Sequence, residues 1–408
     1  MKRIAVTLLM LIILATGAVF ADGPVAISSP EDLLLLAQDP DGDFVLTEDL
    51  FLPDNFKLPP LVFSGRLDGQ GHTIYNVKPY GYCEETRTVY DGNYKEYEGY
   101  FQGFFGILDG AVVENLNLTG AWLPPGGTEE RCVFSGLMTG YMENGAVIRN
   151  CSVQGWSQLN TCAPCFGVGG IAGYGSGRIE NCSADAVLVC TDWDVEQKDE
   201  QFMGGAYAAG YIDIVDCDIK IDGYDSDHGY VHNGGLVGMY IIYPRGTSYA
   251  GQIVRSHVSG RIRFFEDNRD RRAYCAPYIG EVLQWTYEWG GCTEDFERDE
   301  IFVYDENLWP CMDDAVWTIE VTPPDYGQMG YTDITCPVCG TTRRDTYTAP
   351  LAQEIELLDP APIEEALQEA QQAQTKGSNV LSLLWYACGA AIVAILLGIV
   401  RKALRNKD

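Results

Sequence analysis

Five short phrases decide how this chain folds: Val113-Glu-Asn115-Leu-Asn-Leu118, Ile148-Arg-Asn150-Cys-Ser-Val153, Ile179-Glu-Asn181-Cys-Ser-Ala184, Ile214-Val-Asp216-Cys-Asp-Ile219 and the weaker Ile253-Val-Arg255-Ser-His-Val258. Their third positions stand 35, 31, 35 and 39 residues apart. A glycine-rich phrase precedes each: Gly103-Phe-Phe-Gly106, Gly136-Leu-Met-Thr-Gly140, Gly170-Ile-Ala-Gly173, Gly205-Ala-Tyr-Ala-Ala-Gly210 and Gly235-Leu-Val-Gly238. Segments this short, alternating in polarity and punctuated by glycine, read as strands joined at corners, and their recurrence reads as a solenoid. One coil cannot bury its own apolar face. A neighbour about 4.8 Å along the axis covers that face and pairs its backbone. The expected fold is all-β, a parallel β-helix over residues 22–289.

Upstream, Ile27-Ser-Ser-Pro-Glu-Asp-Leu33, Phe44-Val-Leu-Thr-Glu-Asp-Leu50 and Phe63-Ser-Gly-Arg-Leu-Asp-Gly-Gln-Gly-His-Thr-Ile74 lead into Gly103-Phe-Phe-Gly106 and Glu114-Asn115-Leu116. This succession resembles the GLUG-repeat right-handed β-helix surface proteins of bacteria, which occur in adhesins and as accessory regions of some surface proteases. The resemblance covers roughly residues 25–260. It implies right-handed coils and a cell-surface scaffold, and it brings no catalytic residues with it. No LPxTG-type sorting signal precedes the hydrophobic tail, which favours a membrane anchor over wall attachment.

The two ends set the expected location. Residues 1–21 open with Lys2 and Arg3, run through an apolar stretch and finish in Val19-Phe20-Ala21, the form of a cleavable signal peptide. Val380 to Val400 is a stretch of 21 residues without a charge. At about 1.5 Å per residue it crosses a hydrocarbon core of about 30 Å as a helix. Trp385 and Tyr386 stand near one boundary, and Arg401, Lys402, Arg405 and Lys407 give the tail 401–408 the positive charge of a cytoplasmic end. The expectation is a single-pass cell-membrane protein with its N-terminal ectodomain outside. Between the coils and the span, residues 290–349 read as a cysteine-bearing C-terminal cap. Residues 350–379, led by Pro360 and Pro362 into a Glu-, Ala- and Gln-rich run, read as a helical or flexible acidic stalk.

The chain carries a formal net charge of −31. Setting aside Lys2 and Arg3 and the tail's net +3 leaves about −36 on the ectodomain. Such a surface repels nucleic acid and anionic headgroups. Solubility is the plainer reason for that charge, and divalent-cation binding the sharper one. Asp39-Pro-Asp41-Gly-Asp43 and Asp222-Gly-Tyr-Asp225-Ser-Asp227 lack the EF-hand glycine and terminal glutamate and read as acidic turns.

Cysteine placement carries the remaining chemistry. Cys151, Cys182 and Cys217 share one position of successive phrases, so they should stack inward as small apolar residues behind asparagines that bond at a turn. Cys83, Cys132, Cys162, Cys165 and Cys190 fall in the insertions ahead of the glycine phrases. If those insertions leave from one corner, disulfides or a four-thiolate zinc site could join them. Cys336-Pro-Val-Cys339-Gly340 has the form of a zinc knuckle, with Cys292 and Cys311 as single partners, and plain disulfides fit those four equally.

Catalysis finds little support. The four histidines have no glycine-histidine-glycine setting, and neither H-E-x-x-H nor G-x-S-x-G occurs. The favoured reading is non-enzymatic surface binding or scaffolding toward an extracellular glycan or protein. The alternatives are a β-helix polysaccharide lyase or hydrolase and a spacer without ligand. The 24 tyrosines and 8 tryptophans could supply a sugar-stacking face, although many must serve the core.

Overall fold

The computed structural model describes residues 23–351 apart from 59–60, 124–130, 161–162, 192–199, 226–229, 242–250, 265–273, 283–286, 295–301, 305–316, 338–339 and 341. The expected signal, stalk, span and tail therefore lie outside the described residues, save for 350–351 of the stalk. Among the described residues the helical content is a 3₁₀ turn, Pro30–Leu34, followed by one α-turn, Leu35–Gln38. No helix among them is long and apolar enough to cross a membrane.

The rest is strand, and it winds as a parallel β-solenoid. Residues 96–123, 132–160, 165–191 and 200–225 are successive turns, and the pairing carries on through 230–264 and 274–304. Each turn begins in a seven-stranded sheet, crosses two rows of a fourteen-stranded sheet and ends in a nine-stranded sheet. The phrases set the register. Val113, Ile148, Ile179, Ile214 and Ile253 are successive neighbours in one row, and Leu118, Val153, Ala184, Ile219 and Val258 in the next. All ten are buried in one continuous core, so a period read as spacing in sequence is a stack in space.

The glycine phrases make the corner between the seven-stranded and fourteen-stranded sheets. A Cβ on Gly169 would lie 1.8 Å from Ala172 O, on Gly204 1.9 Å from Tyr207 O and on Gly234 1.8 Å from Val237 O. Only a residue without Cβ lets the chain turn that tightly.

Two flanks of the solenoid point apolar residues outward, and later or inserted chain covers both. On the seven-stranded sheet Phe101, Phe134 and Phe202 form a row, joined by Tyr141 and Tyr174 of the fourteen-stranded sheet. The hairpin of strands Arg87–Tyr90 and Glu96–Gln102 folds over this row. Its tip is fixed by Glu200, which accepts from the backbone N–H of Gly92 and from Asn93 Nδ2 at 3.0 Å. Tyr174 OH accepts from Tyr90 N at 3.1 Å, and Arg87 pairs with Glu143 at 2.5 Å.

The nine-stranded sheet turns Trp122, Trp156 and Tyr224 outward. Onto them packs a three-stranded antiparallel sheet, Thr318–Thr322, Gly330–Thr335 and Thr342–Thr348. Trp317 meets Trp156 edge-on at 5.3 Å, and the Arg343 guanidinium lies 4.8 Å from the Trp156 ring and 5.8 Å from that of Trp122. The segment expected as a cap is thus divided: residues up to Tyr304 continue the solenoid, and 318–348 lie along its flank beside Tyr75 and Trp156. The physical reason is the outward aromatic stripe, an apolar surface that the small sheet removes from water.

Candidate functional site

The third residue of each phrase turns the chain through the left-handed region, with φ between 50° and 54° at Asn115, Asn150, Asn181, Asp216 and Arg255. Asn and Asp accept that conformation more readily than other side chains. Because the corner repeats, their side chains stack. Asn181 Nδ2 donates to Asn150 Oδ1 at 2.8 Å, Asn150 Nδ2 to Asn115 Oδ1 at 3.1 Å, and Asn115 Nδ2 to Asp68 Oδ1 at 2.9 Å. At the other end Arg255 grips Asp216 through two bonds of 2.7 Å.

This amide ladder is open to solvent along its outer edge. An amide carries two N–H donors and two acceptor lone pairs, and the ladder consumes one of each at Asn115 and Asn150. The other N–H and lone pair of each remain for a ligand. A second polar row runs beside the first: Asn117 Nδ2 donates to Gly71 O at 2.8 Å, and Ser152 Oγ donates to Asn117 Oδ1 at 2.6 Å. Asp68, Gln70, Gly71, Asn115 and Asn150 line a shallow cleft where the ladder meets the first turns.

The carboxylates at the ends are held ionised. At Asp68 burial works to raise the pKa, but hydrogen bonds from Asn115 and the Gln70 amide, with the Arg66 charge, outweigh it and lower it. Asp216 is lowered by its bonds to Arg255.

Behind the asparagines stand the thiols. Cys151, Cys182 and Cys217 are buried. The thiol of Cys182 donates to Glu180 O at 3.2 Å and lies 3.6 Å from Ile148 O of the preceding turn. Cys217 repeats this on Val215 O at 3.3 Å and Ile179 O at 3.6 Å. The bond with Cys151 and burial both push the Cys182 pKa up, and burial pushes that of Cys217 up to about 12. They are neutral packing groups that also satisfy corner carbonyls.

The cysteines named for disulfides or zinc are distributed as follows. Cys132 and Cys165 open successive strands of the seven-stranded sheet with Cα atoms 4.9 Å apart, and they form a disulfide. Cys190 is buried at the end of strand Ser183–Thr191. Cys292 joins the corner thiols, with its sulfur 3.6 Å from Ile253 O, whereas Cys336 is buried among Trp156 and Trp317. These two therefore belong to different clusters. Cys162, Cys311 and Cys339 lie outside the described residues. Among the described residues no group of three or more His, Cys, Asp or Glu converges as a metal site would require.

No protein-family profile matches the sequence, and no characterised protein matches it as a relative. A solved chain described as "IgA1 Protease" superposes with a TM-score of 0.44 at 18% identity. The match covers 68% of this chain and 21% of that one, so this protein spans about a fifth of that chain.

Sequence placed the asparagines at a turn, but it did not show that Asp68 terminates their ladder. The opening turn Asp68-Gly-Gln-Gly departs from the phrase that follows it, and the turn containing Asp68 stacks directly beneath.

Proposed function

We propose that this chain is a bacterial cell-surface scaffold of the GLUG-repeat kind that binds an extended, hydroxyl-rich polymer such as a polysaccharide along the asparagine corner. The carrying observation is the amide ladder from Asp68 to Asn181, in which Asn115 and Asn150 each keep one donor and one acceptor facing outward at the repeat of the solenoid. A polymer with its own repeat can meet several rungs at once, and weak contacts then add along its length. The charged segment 401–408, the apolar segment 380–400 and the leader-like segment 1–21 support placement of this surface outside the cell, held by one membrane span.

The reading is non-enzymatic. Asp68 and Asp216 stand four rungs apart, about 19 Å at 4.8 Å per rung, well beyond the separation of about 5–9.5 Å at which paired carboxylates cleave glycosidic bonds. Both are lowered in pKa, which withholds the proton a general acid must give.

The test is a glycan panel probed with the full chain and with Asn150→Gly and Asn181→Gly. Glycine keeps the left-handed corner while deleting the amide. A glycan bound by the parent and released by both variants, with circular dichroism unchanged, is the expected result. Binding that survives both changes would sink the corner as the site. Protease applied to intact cells should remove the ectodomain, and full-length protein persisting on accessible cells would refute the orientation.

A further inference from the structure

The solenoid core is apolar at most inward positions; Ser135 and Gln102 are an exception whose side chains bond each other at 3.1 Å, whereas a second polar group further along has atoms without such a partner. On the seven-stranded sheet Val133, Phe166, Gln201 and Val231 occupy one inward column, and Ser135, Val168, Met203 and Asn233 the next. Val133, Phe166, Val168, Met203 and Val231 all belong to the central core, so Gln201 and Asn233 project into it. Asp225, inward by alternation from Ile219 and Ile221, lies at the end of the neighbouring strand.

These three side chains are fully enclosed: Gln201 is 0% exposed, Asn233 1% and Asp225 0%. Asn233 Nδ2 donates to Asp225 Oδ2 at 2.7 Å, which brings the last two together. Gln201 pairs in register with Val231, which makes Asn233 its diagonal neighbour. Such diagonals lie about 7–8 Å apart, within reach of long side chains. Yet among the described residues no group bonds either amide atom of Gln201, nor Asn233 Oδ1.

We propose that Gln201 and Asn233, with Asp225 bonded to Asn233, enclose an internal water-binding site in the core between the turn 200–225 and the next turn, which begins at Tyr230. The ligand follows from the donor set. Gln201 presents both an N–H and a carbonyl oxygen, and Asn233 a second carbonyl oxygen. Water donates and accepts, whereas a cation could meet the oxygens but not the N–H.

Crystals of the full chain, in detergent and diffracting to about 1.8 Å, should show density within about 2.7–3.2 Å of Gln201 and of Asn233 Oδ1. Gln201→Met, matched in length and without polar atoms, should lower the melting temperature by about 2–4 °C, because it deletes bonds that the water completes. No density at that resolution overturns the proposal. An ion held by oxygens alone at about 2.4 Å overturns it as well. A Gln201→Met variant that melts higher than the parent would show that the amide is unpartnered in the protein, and it too overturns the proposal.

Discussion

Asn76 and Tyr347, 271 residues apart, are joined through both atoms of one amide: Asn76 Nδ2 donates to Tyr347 O at 2.7 Å, and Asn76 Oδ1 accepts from Tyr347 N at 2.7 Å. The amide thus completes the backbone of an edge strand as another strand would. Asn76 holds φ at 64°, a conformation that glycine shares without cost. Asn76→Gly should therefore leave the solenoid intact and cost about 1–3 kcal/mol at the junction. Limited proteolysis should then cut within residues 318–348 earlier than in the parent, and unchanged proteolysis would count against this amide as the clasp.

The Arg343 cation lies over Trp156 at 4.8 Å and within 5.9 Å of Trp317, so its removal should loosen the same junction by another route. Arg343→Met keeps most of the packing and removes the charge. A loss of about 0.5–2 kcal/mol is expected, with a red shift of tryptophan fluorescence as Trp156 and Trp317 meet water. An unshifted spectrum would place the hold elsewhere.

Cys132 and Cys165 close a loop with a sequence separation of 33. Replacing both with serine should cost about 3–4 kcal/mol through the freed unfolded chain while leaving the β-dominated circular dichroism in place. A parent protein that melts at one temperature with and without reductant would refute that contribution.

The corner thiols make stability depend on pH at the alkaline end. In the unfolded chain cysteine ionises near 9.0, whereas folded Cys217 holds its proton up to about 12 and Cys182 is raised as well. Above pH 9 the unfolded state therefore binds fewer protons than the folded one, and the stabilisation present below that pH declines as pH rises toward 12. Buried tyrosines raised by desolvation, Tyr141 and Tyr174 among them, act in the same direction. Replacing Cys182 and Cys217 by alanine should flatten the fall in melting temperature between pH 8 and about 10, before tyrosine dominates. Cys182→Asn should instead destabilise at every pH by about 1–3 kcal/mol, since it buries a larger polar group in the ladder.

The parts of the fold that were legible in the sequence are those that repeat. A residue such as Ile179 has its neighbours Ile148 and Ile214 at the same place in the phrase, so spacing alone announces the stack, the corner conformation of Asn181 and the burial of Cys182. The disulfide was half legible: a shared corner could be expected, but the choice of Cys165 for Cys132 follows from strand register that no spacing fixes. The hairpin on Glu200 and the sheet on Trp156 left no periodic trace, because Gly92 and Glu200 or Asn76 and Tyr347 meet once. One signal did exist. Trp156 sits at a position that alternation from Val153 turns outward, and a large aromatic there implies a flank that something must cover, whereas Trp122 is turned outward only by the bulge at Gly120.

The chain's path past its last turn bears on mechanics. Trp317 and Tyr347, which follow Tyr304 in the chain, lie against Trp156 and Asn76 of earlier turns, and Leu351 bridges to Tyr326 beside the same small sheet. Tension drawn on residues beyond Leu351 reaches the small sheet and its Asn76 and Arg343 fastenings first. A stack whose turns are held only by their neighbours unravels most easily from an end. Here the last described strand of the solenoid, Phe302–Tyr304, is spared load until those fastenings yield, and the small sheet acts as a fuse ahead of the coil.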